Sequence, residues 1–423
     1  MGNVVQFAAD LIRIDTSNRG GGDGRERPAA EYVAARLAEA GLEPVLLESA
    51  PGRANVVARI AGREPGNGLL LHGHLDVVPA EPEDWTVHPF SGEIRDGVLW
   101  GRGAVDMKGA VAVLLAIAAS LPRPEHDIVL AFTADEEDTA EFGARFLVEQ
   151  HAGLFEGCAT AVSESGGFTF HADGKRLYPV ASAERGTAWL RLTARGHAGH
   201  GSKPNPDNAV AHLAAAITRI AAYEWPVRLI PTVAEAIDAI TAATGRPEDD
   251  LGPAGALVKA TIRNSANPTM LNAGYKINVI PAEATAFVDG RVLPGYEEEF
   301  ARAMDELTGP HVEWEYAHRE IPLEAPPFPE AMREAIEAED PDAVVIPYCM
   351  SGGTDAKQFA RLGMDCYGFT PLVLPEGFDY YAMFHGTDER VPVTALEAAE
   401  RIMLSYLTPR HAPRPADAAG RDS

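Results

Sequence analysis

Three apolar runs of strand length in this chain each end in imidazoles or carboxylates. LLLHGHLD delivers His72, His74 and Asp76, DIVLAFTADEED delivers Asp135, Glu136 and Glu137, and ATAVSES delivers Glu164. Short apolar runs of this kind read as strands. In open α/β sheets, sites form outside the carboxyl ends of the strands, so these side chains are expected at one edge of one sheet. Asp106 in GRGAVDMKG, just before a helical stretch, and His385 in HGTDERV, after the last strand, belong at the same edge. So many carboxylates cannot sit together ionised without a cation, because mutual repulsion would make several take up protons. Imidazole with carboxylate and no thiolate points to Zn2+ or a similar first-row ion such as Co2+ or Mn2+. Taken singly, each piece is weak. A lone His in an apolar strand is more often a satisfied core or surface residue, and the glycines of GRGAVDMKG or SGGTDAK serve turns equally well. Their order and joint placement carry the weight.

A chain of 423 residues exceeds the size at which one core keeps growing, so more than one domain is expected. Helical stretches at 3–14, 28–40 and 109–121 alternate with strands at 55–60, 68–75, 127–133 and 159–164, which marks this part as α/β. The character changes after Arg185-Gly186. A strand at 187–194, a helix at 207–222, strands at 258–263 and 285–292, a helix at 296–307 and a strand at 312–318 follow. That order is the split βαβ plan of a small antiparallel sheet with helices on one face. The chain then returns to α/β character, with helices at 330–338 and 394–407 and strands at 343–347 and 365–369. The expected organisation is a catalytic domain with a mixed, helix-covered sheet in two parts, 1–185 and 323–423. An α+β ferredoxin-like domain over 186–322 interrupts it. The closing HAPRPADAAGRDS is Pro- and Ala-rich, and disorder is expected there.

The formal charge of -26, from 36 basic and 62 acidic residues, opposes binding to phosphate backbones and anionic lipid, so neither nucleic acid nor membrane is an expected partner. The longest apolar run, 110–119, is about half of what a bilayer-spanning helix needs. The opening MGNVVQFAADLIRIDTSN has no cationic leader and predicts no secretory signal. Three cysteines without a CxxC spacing read as free thiols suited to a reducing cytosol. The cytoplasm is therefore the expected location.

GHLDVVP, GRGAVDMKG, TADEE, SES, GHGSKP, NVIP, DGR, SGGTDAK and HGTDERV, in this order along nearly the whole chain, resemble the M20 family of metallopeptidases. That family includes carboxypeptidases, aminoacylases, dipeptidases and the acetylornithine and succinyl-diaminopimelate deacylases. The resemblance implies two Zn2+ per chain bridged by Asp106, one also held by His74 and Glu164 and the other by Glu137 and His385. His72, on the same strand face as His74, is the rival ligand, but the family's GHxD pattern selects His74. Asp76 is then the carboxylate that fixes the His74 tautomer, and the Asp106-Met107 peptide is expected to be cis.

Catalysis would be attack of metal-bound hydroxide on an amide carbonyl with Glu136 as general base. His200 is the implied oxyanion donor, with His197 its nearby alternative. Asn278 and Arg291 would hold the substrate, Arg291 gripping a carboxylate, and Gly352, Gly353 and Thr354 would offer donors to its acid end. The implied substrates are small N-acyl amino acids or dipeptide-like molecules with a free carboxylate. A succinyl-diaminopimelate desuccinylase or acetylornithine deacetylase is the alternative, and a non-catalytic metal-containing binding protein the distant one. A homodimer through the inserted domain belongs to the same expectation. The native metal, the acyl group and whether His200 acts within its own chain or across a dimer are not legible in the sequence.

Overall fold

The computed structural model describes residues 3–408; the tail expected to be disordered lies outside the described residues. Ten strands form one mixed sheet. At its centre run four parallel strands in the order Ile128–Thr133, Gly68–His74, Cys158–Ser163 and Asp365–Gly368. IVLAFT is buried at every position, as a strand covered on both faces must be. Arg53–Ile60 and Val45–Ala50 extend the sheet antiparallel on one side. On the other lies Lys175–Glu184, to which Ala343–Met350 pairs in parallel.

Strand alternation divides the apolar side chains between two faces. Leu71, Leu130 and Val162 point to the face covered by the helix Lys108–Ser120, buried throughout 108–117 and packed between Asn3–Ile12 and Val393–Leu407. Leu70, Val129 and Ala161 point to the other, under Ala144–Gln150 and Ala356–Ala360. Because the central strands are parallel and in register, with His74 opposite Thr133 and Leu71 opposite Val162, their carboxyl ends finish at one edge.

Gly186–Arg195, Ser265–Ala273, Glu283–Val292 and Val312–Glu320 form a second, antiparallel sheet. The helices Ala209–Ala222 and Glu297–Thr308 cover one face of it, over a separate core that includes Leu190, Leu192, Val288 and Phe300. Glu283–Val292 alternates buried and half-buried residues almost without a break, so its other face presents Glu283, Thr285, Phe287, Asp289 and Arg291.

Several elements differ from expectation, among them the strands Val45–Ala50 and Lys175–Glu184, which were not expected. The apolar stretch 258–263 is not a strand. It follows the 3-10 helix Gly252–Leu257, and Leu257 and Val258 pack into the large core. The strand instead begins at Ser265, in SANPTMLNA, where Pro268 reads as a breaker. It is tolerated because this is the sheet's edge strand and carries a register shift between Pro268 and Met270. The helix Pro231–Thr244, with Pro at its start and Gly245 (φ 73°) at its end, also packs on the large sheet, against Ala343–Met350. No helix among the described residues is long and apolar enough to cross a membrane.

Candidate metal centre

His74 ends its strand with the ring buried. Its Nδ1 lies 3.0 Å from the Asp76 main-chain carbonyl, and since a carbonyl only accepts, Nδ1 carries the proton and Nε2 faces the centre. From there Nε2 is 3.0 Å from Asp106 Oδ1 and 3.7 Å from Glu164 Oε1. The other oxygen of Asp106, Oδ2, is 3.5 Å from His385 Nε2, which in turn is 3.0 Å from Glu137 Oε2. His74, Asp106 and Glu164 form one cluster of candidate donors, and Asp106, Glu137 and His385 another, each with its donor atoms within 4.8 Å of one another. Two donors of one tetrahedral zinc ion at ~2.0–2.1 Å lie about 3.3 Å apart, so the observed separations fit a metal in each cluster. The Asp106-Met107 peptide is cis.

The electrostatics point the same way. Burial, with Asp106 close by, pushes the Glu137 carboxyl up to about 7, and burial also raises Glu164. Burial opposes charge on His74, yet Glu164, Asp106 and Asp76 together lift its pKa well above the ordinary value. Glu137 Oε1 is buried with no hydrogen-bond partner among the described residues. A cluster that draws protons in this way and leaves a carboxylate oxygen unpartnered fits a pair of divalent cations.

Glu136 lies beside this set, with Oε2 3.8 Å from His74 Nε2, and burial pushes its carboxyl well above the usual range. The Asp76 carboxylate sits 3.5 Å from His74 Nδ1 and accepts the main-chain N–H groups of Glu136 at 3.2 Å and Glu137 at 3.1 Å. The tautomer is thus held by the Asp76 carbonyl, and its carboxylate positions the loop that carries Glu136 and Glu137. His72 stands outside both clusters, its ring centroid 4.7 Å from that of Phe359.

Two buried charge networks brace the edge, and the sequence reading missed both. Glu389, fully buried, accepts the N–H groups of Gly103, Val105 and Asp106 and pairs with Arg102 at 2.8 Å, which fixes the loop bearing Asp106. Arg53 reaches both Glu26 and Asp135 at 2.7 Å, and Asn18 spans Asp76 and Asp135. Glu389 lies in HGTDERV, one available signal; nothing local marks Arg53 or Glu26.

Two cavities open from Glu136, Glu137 and His385. One, of about 260 Å³, lies against the small sheet and is lined by Arg291, Trp189 and His318 as well as Gly352, Gly353 and Thr354. Arg291 lines this cavity with its Nε and Nη2 donating to Asp289 at 2.8 and 3.3 Å. Thr354 departs from expectation: its N–H and hydroxyl donate to Glu184, so it anchors the loop instead of offering those groups to a ligand. A side chain at Gly353 would run into the buried Lys357 ammonium, which lies 3.8 Å from Glu184 and 3.6 Å from Glu320. The other cavity, of about 320 Å³, is walled by aromatic residues.

His200 and Asn278 are neighbours on the ladder that pairs Gly199–His200 with Val279–Ile280, where Gly201 N–H donates to the Asn278 carbonyl at 2.9 Å. Both residues are exposed and line neither cavity, so this chain's own fold does not bring them to the metal donors. His197 is exposed and paired with Asp207.

The model of peptidase family M20/M25/M40 matches residues 70–408. The chain is 30% identical over 412 residues to a succinyl-diaminopimelate desuccinylase of Cereibacter sphaeroides, covering 95% of this chain and 97% of that one. It is 28% identical over 384 residues to the N-fatty-acyl-amino acid synthase/hydrolase PM20D1 of Bos taurus, covering 82% and 75%. Among solved structures, the M20 family metallo-carboxypeptidase Sso-CP2 of Sulfolobus solfataricus superposes with a TM-score of 0.71 at 18% identity, covering 96% of this chain and 99% of that one.

Proposed function

Because this chain belongs to peptidase family M20/M25/M40 and is a hydrolase, we propose that it cleaves the amide bond of small N-acyl amino acids or dipeptide-like substrates that carry a free carboxylate. One observation carries the reading: the two oxygens of a single buried aspartate, Asp106, face two separate His–Glu pairs with Glu136 alongside. His74 and Glu164 would hold one divalent ion, Glu137 and His385 the other, with Asp106 between them. When bound, zinc or a similar ion would polarise the scissile carbonyl and lower the pKa of the attacking water.

The chain's own residues do the rest. Glu136 accepts the water's proton and passes it to the leaving nitrogen. Asp76, by holding the Glu136 and Glu137 amides, keeps base and ligand in register. Gly352 and Gly353 border both cavities, and Arg291 lies at the end suited to a carboxylate. His200 and Asn278 act after movement of the small sheet and its two helices, or from a second copy. Exposed Met270, Leu271, Tyr275 and Ile277 beside them support a homodimer through the small sheet. The cytoplasm is the proposed location.

A desuccinylase reading is favoured by the longer of the two sequence matches. Assay of the zinc-loaded protein on N-acetyl amino acids, dipeptides and N-succinyl-diaminopimelate decides between them. The proposal expects turnover of the first two classes and is overturned if only the succinyl compound is cut.

A further inference from the structure

Phe168, Tyr348, Met350, Tyr380, Tyr381 and Phe384 wall the 320 Å³ cavity that opens beside Asp106, Glu137, Glu164 and His385. The rings brace one another. Phe168 stacks on Tyr380 with centroids 3.9 Å apart, Tyr380 meets Phe384 edge-on at 4.9 Å, and Tyr381 meets Phe168 edge-on at 5.6 Å. The Tyr381 hydroxyl lies 3.4 Å from that of Tyr348, so those two polar tips face each other. Phe168 is 1% exposed and Tyr380 6%, whereas Tyr381, at 39%, stands at the rim. Among the described residues, no Lys or Arg side chain lines this space.

We infer that this aromatic chamber receives the acyl half of the substrate and selects an apolar group, aromatic or of medium chain length, over an acidic one. The inference rests on the amide-hydrolase reading above. The cavity against the small sheet holds Arg291 and suits the carboxylate half, which leaves the aromatic cavity for the group on the other side of the scissile bond. A succinyl tail would bring a second carboxylate against ring faces, which are electronegative, with no cationic side chain to pair it. At about 320 Å³ the cavity lies at the small end of ligand pockets, which run from roughly 300 to 1,000 Å³. An octanoyl or phenylacetyl group fits that space. A palmitoyl tail overfills it and must run out past Tyr381, so added length beyond the cavity brings no further gain.

The test uses the metal-loaded full chain and glycine acylated with acetyl, octanoyl, phenylacetyl, palmitoyl or succinyl groups. Octanoyl and phenylacetyl substrates should exceed acetyl in kcat/KM by at least about tenfold, since each buried methylene is worth roughly fourfold. Palmitoyl should do no better than octanoyl, and succinyl should fall below acetyl. Tyr381→Arg, at a half-exposed site that leaves the core intact, should cut the octanoyl-to-acetyl ratio about tenfold and raise succinyl turnover, with metal content unchanged. A wild type that prefers succinyl, or an octanoyl-to-acetyl ratio that Tyr381→Arg leaves untouched, overturns the inference while the amide-hydrolase reading stands. If neither these acylglycines nor the dipeptides are cut, that reading falls, and calorimetry then decides the chamber by itself. Octanoylglycine binding about tenfold tighter than acetylglycine supports it, and equal or undetectable binding of the two overturns it.

Discussion

At the carboxyl edge of the large sheet, His74, Asp106 and Glu164 are buried, and the loops around them are tied down by Glu389, Asp76 and Asp135. At the tip of the small sheet, His200 and Asn278 are exposed and held by one short two-residue ladder. The difference fits the two jobs proposed for them. Metal donors must be within a few tenths of an ångström before substrate arrives, so their supports are buried and charged. Groups that meet the substrate after closure gain from standing outside until then. Substitutions at the first region should therefore cost stability, chemistry or both, and at the second chemistry alone.

The sharpest break in that comparison is Glu136→Gln, which removes the proton acceptor while filling the same space. Turnover should fall by ~10² to 10⁴ with both metals retained. Near-normal kcat with metals bound would show that another group is the base.

Glu389→Ala should cost about 3–5 kcal/mol of stability, because it strands buried Arg102 and three main-chain N–H groups. Denaturant unfolding of wild type and variant reads this directly, and metal affinity should drop in parallel. His200→Ala, by contrast, should shift stability by no more than ~0.5 kcal/mol, as for an ordinary surface site. It should still lower kcat by ~10² to 10³ if it donates to the oxyanion. A stability loss at His200 comparable to that at Glu389 would erase the distinction between the two regions.

The smallest effect is expected at Arg291→Lys. Two of the guanidinium's donors already serve Asp289, so only part of the fork remains for a ligand. The preference for an N-acyl amino acid over its amide should fall by about tenfold. An unchanged ratio would move the carboxylate to Gly352 and Gly353.

How much of this could be read beforehand depended on local pattern. His74, Glu137 and Glu164 were legible because each closes or directly follows an apolar run, and parallel register takes such ends to one edge. Asp106 and His385 follow irregular segments and were legible only as parts of motifs. Arg53 and Glu26 were not legible, since a buried ion pair and a surface one have the same letters. Lys175–Glu184 and Ser265–Ala273 escaped notice because Pro179 and Pro268 read against strands. Thr354 was placed in the right loop with the wrong partner, because Glu184, its acceptor, is 170 residues away.

Asp106 is proposed to stand between two metal ions. Elemental analysis of protein reconstituted with zinc and freed of loosely held metal tests it most directly. Two ions per chain are expected, falling to one or none in Asp106→Ala. A single ion at saturation in the wild type would contradict it.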